Sequence, residues 1–342
     1  MDTLFIEFRD PLFGIILFFA LIFIVSFVSY WATRIRTKED SEQISRFLNS
    51  LSSSPSYQEL KQEIEHSCIS DKLWLQIAQS YSSNGETQMA IQIYQALCDS
   101  SKSTEQKSHL LILLARTYFK AGFLQRCEKT LLEMLARRPR TVEALKLLLL
   151  TYEKMKLYDK ALEITVVLNE LELYIQDEIL HLNTLKLLED LTLSAEQKCT
   201  YIVKQNLHSR RALEYLFVNN AHLAWSHFNV QDAKKITDIL WSLNKESLNL
   251  DIISSDEYLS GLYSAKGYVD FVKSTLVFEL DVLIKLRTHD IEMASLQFEY
   301  RCTNCAHMSL FAQARCSKCN KIDSTIVDIS LTQGRHETSN TF

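Results

Sequence analysis

The stretch WLQIAQSYSSNGETQMAIQIYQAL (74–97) decides the fold. Trp74, Ile77, Ala78, Tyr81, Gly85, Ala90, Tyr94 and Leu97 fall at offsets 0, 3, 4, 7, 11, 16, 20 and 23 from the first residue. The first four offsets share one face of an α-helix, and the last three share one face of a second. The small residues at offsets 4 and 16 let the two helices approach closely. Gly85 between them permits the left-handed turn that ends the first helix. Downstream, LILLARTYFKAGFLQRCEKTLLEM (111–134) puts Leu111, Leu114, Ala115, Tyr118, Gly122, Cys127, Leu131 and Met134 at the same offsets, and Pro139 closes the unit. A third pass, LKLLLLTYEKMKLYDKALEITVVL (145–168), places Leu145, Leu148, Leu149, Tyr152, Lys156, Ala161, Thr165 and Leu168 there. The first two tyrosines of the series are 37 residues apart and the next two 34.

A helix pair recurring at this period is the tetratricopeptide pattern. Later units lose the signature. Residues 175–207 suit two helices, a helix pair fits around Ala221, Ala224 and Ala233, and Tyr258, Leu259, Leu262, Tyr263 and Gly267 suggest another turn, followed by a helix over Val269–Leu286. Stacked repeats bury a continuous core only together, so one curved superhelix over residues 57–288 is expected. Composition agrees, because 6 Gly and 3 Pro in 342 residues are too few for the turns of an all-β chain. The expected class is all-α, an α-solenoid. A net charge of −5 gives no general attraction to nucleic acid.

LFGIILFFALIFIVSFVSY (12–30) is 19 residues without a charge, about the length that crosses a bilayer, and Tyr30 and Trp31 suit the headgroup level. The leader holds Asp2, Glu7, Arg9 and Asp10, which does not suit a cleavable signal peptide. A transmembrane helix is therefore expected over 12–31, with a Ser-rich linker over 32–56. One basic residue precedes the span (Arg9) and three follow it closely (Arg34, Arg36, Lys38), which puts residues 1–11 outside and the rest in the cytoplasm.

Eight cysteines divide into two classes. Cys68, Cys98, Cys127 and Cys199 stand singly in apolar helical patterns, where the residue behaves as a small hydrophobe. Cys302, Cys305, Cys316 and Cys319 form two CxxC turns separated by ten residues. Each turn directs two thiolates at one point, and two turns complete a tetrahedron around a metal ion. Four thiolates leave no position for water, so the centre would be structural. Zinc and iron both accept this ligand set. Tyr300 and Phe311 are the expected apolar core of a short hairpin over 298–330, with a polar tail at 331–342, and His307 is expected at the surface.

No GxSxG, Gly-rich phosphate loop or HExxH occurs, so the sequence points away from an enzyme. Helical repeats offer a groove to a partner. Its expected contacts are His109, Ile112, Arg116 and Phe119 on one helix, then Glu143, Lys146 and Glu153 on the next.

The order of parts resembles the lipopolysaccharide assembly protein B family, also called LapB or YciM. The resemblance is carried by YRCTNC and CSKC within 300–319, by ETQMAIQIYQALCDSS (86–101) and by YDKALEI (158–164). Departures are Ala306, where the family often has Gly, and Asn320 after the fourth cysteine. The resemblance implies a single-pass protein of the bacterial inner membrane, periplasmic at its N-terminus. It implies an adaptor that presents the deacetylase LpxC to the membrane protease FtsH and so regulates lipopolysaccharide synthesis. It also implies that Cys302, Cys305, Cys316 and Cys319 bind one metal ion in a rubredoxin-like knuckle folded against the repeats. A rubredoxin-like electron carrier and a general assembly scaffold stay open as alternatives, as do zinc against iron and homo-oligomers.

Overall fold

The computed structural model describes residues 22–24, 26, 27, 57–66, 69–101, 103–289 and 294–333. The anchor expected over 12–31 lies outside them apart from Ile22, Phe23, Ile24, Ser26 and Phe27, which are helical and exposed. Among the described residues no helix is long and apolar enough to cross a membrane. The expected linker over 32–56 also lies outside. The chain divides into two compact units, Met1–Thr151 and Tyr152–Phe342.

The first unit is built from α1 (Tyr57–His66), α2 (Asp71–Ser83), α3 (Thr87–Ser100), α4 (Thr104–Lys120), α5 (Leu124–Arg137) and the start of α6 (Val142–Lys154). Helix pairs α2–α3 and α4–α5 pack together, as the repeat predicts. The residues at the repeat offsets are the core: Trp74, Ala78, Ala90, Ala115, Cys127 and Leu131 have no exposed surface, and Tyr94, Leu97, Leu111, Leu114, Tyr118 and Met134 are buried. Gly85 and Gly122 take φ of +87° and +79°. At each, the next N–H reaches back to a tyrosine carbonyl, Glu86 to Tyr81 at 3.0 Å and Phe123 to Tyr118 at 2.9 Å. This is the hydrogen-bonding of a left-handed helix stop.

The second unit continues with α7 (Tyr158–Glu170), α8 (Gln176–Glu189), α9 (Ala195–Lys204), α10 (Arg210–Asn219), α11 (Ala221–His227), α12 (Thr237–Ser242), α13 (Leu250–Ser255), α14 (Glu257–Lys266) and α15 (Phe278–Arg287). The left-handed stop persists after glycine is lost. Lys156, Glu172 and Asn206 take φ of 60°, 60° and 56°, and Gly267 takes 79°. Leu157 N–H reaches Tyr152 O at 2.9 Å, and Tyr268 N–H reaches Tyr263 O at 3.0 Å.

Three expectations need correction here. The helix predicted for Val269–Leu286 starts only at Phe278. Before it, the Ser264 hydroxyl accepts the N–H groups of Phe271 and Val272, and Asp281 accepts that of Thr275, so local side-chain bonds replace the first two helical turns. The pair around Ala221–Ala233 is a seven-residue helix followed by a 3₁₀ segment (Val230–Ile236) in place of a second α-helix.

The chain is also not all-α. Strands β1 (Ala294–Cys302), β2 (Met308–Ser309) and β3 (Thr325–Gln333) form an antiparallel sheet in the order β2-β1-β3. The register pairs Ala294 with Gln333 and Cys302 with Thr325, so strand pairing runs three residues past the expected end of the knuckle. Leu296 belongs to the core that holds Leu240, Leu262, Tyr263 and Leu280, and Phe298 and Ile329 pack against it.

Candidate metal centre

The sheet delivers the first pair of cysteines and fixes the position of the second. β1 ends on Cys302, and β3 begins at Thr325, six residues after Cys319. The two CxxC turns are built alike. Ala306 N–H reaches Cys302 O, and Asn320 N–H reaches Cys316 O, both at 2.9 Å. Cys302 N–H reaches His307 O at 3.0 Å, and Cys316 N–H reaches Lys321 O at 2.9 Å. The residue after each turn, Ala306 or Asn320, takes a positive φ of 54° or 59°. That conformation costs an L-residue about 1 kcal/mol or more, and the twin closure holds it in place.

The four Sγ atoms all lie within 4.8 Å of one another. Cys302 to Cys319 is 3.6 Å and Cys305 to Cys316 is 3.7 Å. A disulfide bond requires about 2.05 Å. A tetrahedron with metal–sulfur arms of about 2.3 Å has edges of about 3.8 Å. The donor set therefore fits one ion held by all four thiolates, and all four side chains are free cysteines. Cys302 and Cys316 are buried, and Cys305 and Cys319 are half-buried.

The electrostatics fit the same conclusion. The Ser324 hydroxyl, 3.2 Å from Cys302 Sγ, pushes that thiol down to about 6, helped by the N–H groups of Cys305 and Asn304. The His307 N–H favours the Cys305 thiolate. Burial and the three neighbouring sulfurs outweigh it and push the thiol up to about 12. Asn304 and the Lys321 N–H draw Cys319 down. Sulfurs packed this closely cannot all carry charge by themselves, and a bound cation removes that conflict.

Arg315, immediately before Cys316, anchors the centre to the helices. Its guanidinium donates Nε to Glu153 Oε1 at 3.1 Å and Nη2 to Glu153 Oε2 at 2.5 Å. Nη1 and Nη2 donate to the two oxygens of Glu178 at 3.2 and 2.7 Å, and Nη1 also donates to Asn320 O at 2.8 Å. His181 Nε2 lies 3.2 Å from Glu153 Oε1. The side chains of Arg315, Glu153 and His181 are only 12, 14 and 4 % exposed. Burial opposes the charge on Glu153, but the hydrogen bonds from His181 and Arg315 prevail and hold its carboxyl below the usual range. A second tie joins Tyr300, whose hydroxyl donates to Asp238 at 2.8 Å, while Arg210 pairs with the same carboxylate.

The residues expected at the site are thus brought together where they are cysteines and dispersed where they are not. Phe311, expected in a hairpin core, is 77 % exposed, because the pairing strands flank the two cysteine turns and leave the loop between them outside. His307 contributes backbone groups to the turns. Of the expected groove contacts, Ile112 is buried, Arg116 pairs with Glu143 at 2.5 Å, His109 and Lys146 are exposed, and Phe119 is half-buried. Glu153 faces Arg315 and His181 and is no open groove contact.

Arg315, Glu178, His181 and Asp238 were not singled out by the sequence reading. The one local signal was the repeated Arg-Cys pair, Arg301-Cys302 and Arg315-Cys316. No protein-family model matches the chain, and no curated protein does.

Proposed function

We propose that this chain is a metal-stapled helical-repeat adaptor of the lipopolysaccharide assembly protein B type, tethered to the inner membrane by residues 12–31, which presents LpxC to FtsH for degradation. One observation carries the reading. Arg315, inside the cysteine knuckle, is buried between Glu153 of α6 and Glu178 of α8, which makes the knuckle part of the helical body. An electron carrier gains nothing from such a tie, whereas an adaptor needs a rigid surface.

The ion, zinc or iron, would be held by Cys302, Cys305, Cys316 and Cys319. Bound there it supplies four-coordinate cross-linking of β1 to the second CxxC turn, and metal affinity becomes folding free energy. The chain's own residues do the remaining work. Ser324 and the turn N–H groups hold the sulfurs in place, and Arg315 aligns the knuckle on the helices. Membrane tethering would raise the effective concentration of protease and substrate for each other.

The test is affinity capture of the full chain from membranes. FtsH and LpxC should both be recovered, and a chain lacking residues 1–31 should recover less FtsH. Recovery of neither protein would overturn the proposal. A colourless preparation with stoichiometric metal would identify zinc, and a red one iron.

A further inference from the structure

The first unit contains an open cavity of about 450 Å³ lined by α3, α4 and α5, with Tyr57 of α1 also on its lining. Its floor is apolar: Leu111, Leu114 and Cys98 line it, and all three are buried. Three cations stand on its wall, Lys107, Arg126 and Lys129. Among the described residues none of the three is paired with a carboxylate.

Two carboxylates also line the cavity, and both are already engaged. Asp99 accepts from the Tyr57 hydroxyl at 2.8 Å and from Lys61 at 3.3 Å. Glu133 pairs with Arg137 at 3.1 Å. Setting these pairs aside leaves three positive charges without a carboxylate among the described residues, Arg126 resting over the Phe123 ring at 5.4 Å, on a chain whose overall charge is −5.

A further group points to a ligand. Tyr118 lines the cavity and is only 4 % exposed. Its hydroxyl oxygen accepts from Gln95 Nε2 at 2.8 Å. Its own proton has no acceptor among the described residues. A hydroxyl that accepts keeps its own proton to donate, so Tyr118 can offer one to an occupant of the cavity.

We propose that this cavity binds an acidic peptide segment of a partner protein, carboxylates meeting Lys107, Arg126 and Lys129 and an aliphatic side chain resting on Leu111 and Leu114. The volume is within the range of ligand pockets and well beyond a single small anion. A basic wall over an apolar floor suits alternating acidic and aliphatic residues, with the Tyr118 proton given to a peptide carbonyl or carboxylate. The face involved is not the expected groove. Lys107, Leu111, Leu114 and Tyr118 follow one stripe of α4, while His109, Arg116 and Phe119 follow another. The site owes nothing to the metal centre, which lies in the second unit.

The experiment uses the full chain in detergent and a fluorescein-labelled octapeptide of alternating glutamate and leucine, read by fluorescence anisotropy. Binding should weaken with salt, since exposed charges are screened. Arg126→Glu with Lys129→Glu should weaken it about tenfold or more, and Tyr118→Phe several-fold, with circular dichroism and metal content unchanged. Arg126 and Lys129 are exposed helix residues, so the double variant should fold. The proposal is overturned if the peptide does not bind, if the charge-reversed protein binds it equally, or if a lysine-for-glutamate peptide binds as well. It is also overturned if inorganic phosphate at matched ionic strength displaces the labelled peptide as effectively as unlabelled acidic peptide does.

Discussion

Replacing Arg315 by Ala removes the cation that two partly buried carboxylates share. Five hydrogen bonds are lost, two to Glu153, two to Glu178 and one to Asn320 O. The arginine side chain is 12 % exposed and the two glutamates are 14 and 29 % exposed, so water restores only part of what is lost, and more of it at Glu178 than at Glu153. Leaving a buried charge without its partner costs about 3–5 kcal/mol. With a urea m-value of about 2–3 kcal/mol/M, the midpoint of metal-loaded protein should fall by about 1–2 M. The pH dependence is the sharper check. In the parent, Glu153 has a depressed pKa, so its contribution is full above the usual carboxylate range and fades as pH falls through the folded value. In the variant the Arg315 bonds and charge no longer draw the Glu153 pKa down, and His181 alone is left to oppose burial. Protonation then relieves the buried charge, so the deficit should be largest near neutral pH and shrink in acid. Urea unfolding followed by circular dichroism at neutral and acidic pH measures both. A deficit below about 1 kcal/mol, or one that does not change with pH, would refute the buried-charge reasoning.

Cys302→Ser removes one of four ligands, and elemental analysis should find stoichiometric metal lost and the C-terminal unit more susceptible to proteolysis. Ala306→Gly relieves a residue held at φ 54° and should raise stability by about 1 kcal/mol, seen as a higher thermal midpoint with metal retained. Ala115→Leu forces a larger side chain into a fully buried contact between paired helices. It should cost about 1–3 kcal/mol in chemical unfolding without changing metal content.

The parts of the fold that local spacing encodes were readable. Trp74, Ala90, Ala115 and Leu131 are buried because helical periodicity fixes which face meets the neighbouring helix. Cys98, Cys127 and Cys199 are buried as small apolar residues, and the four later cysteines converge because each CxxC turn aims both thiols one way. The sheet was less visible. Leu296, Phe298 and Tyr300 do alternate, but β1 finds its partner strand on the far side of both cysteine turns. Arg315 was silent for a related reason, since its carboxylates lie 162 and 137 residues away and no local period links them. The fading of the repeat after Lys156 lies in the side chains and not in the backbone. Lys156, Glu172 and Asn206 keep the left-handed stop that glycine made recognisable in earlier units.

The reach of Arg315 also sets an order of events during synthesis. Glu153, Glu178 and His181 leave the ribosome long before the arginine that neutralises the two carboxylates. At about 5–20 residues per second, the interval is on the order of ten seconds or more. Throughout it, the nascent helices α6 and α8 carry acidic groups facing a space that only the segment holding Arg315 can fill. Completion of that stretch, and capture of its ion, would therefore be the moment at which the second unit stops being a substrate for quality control.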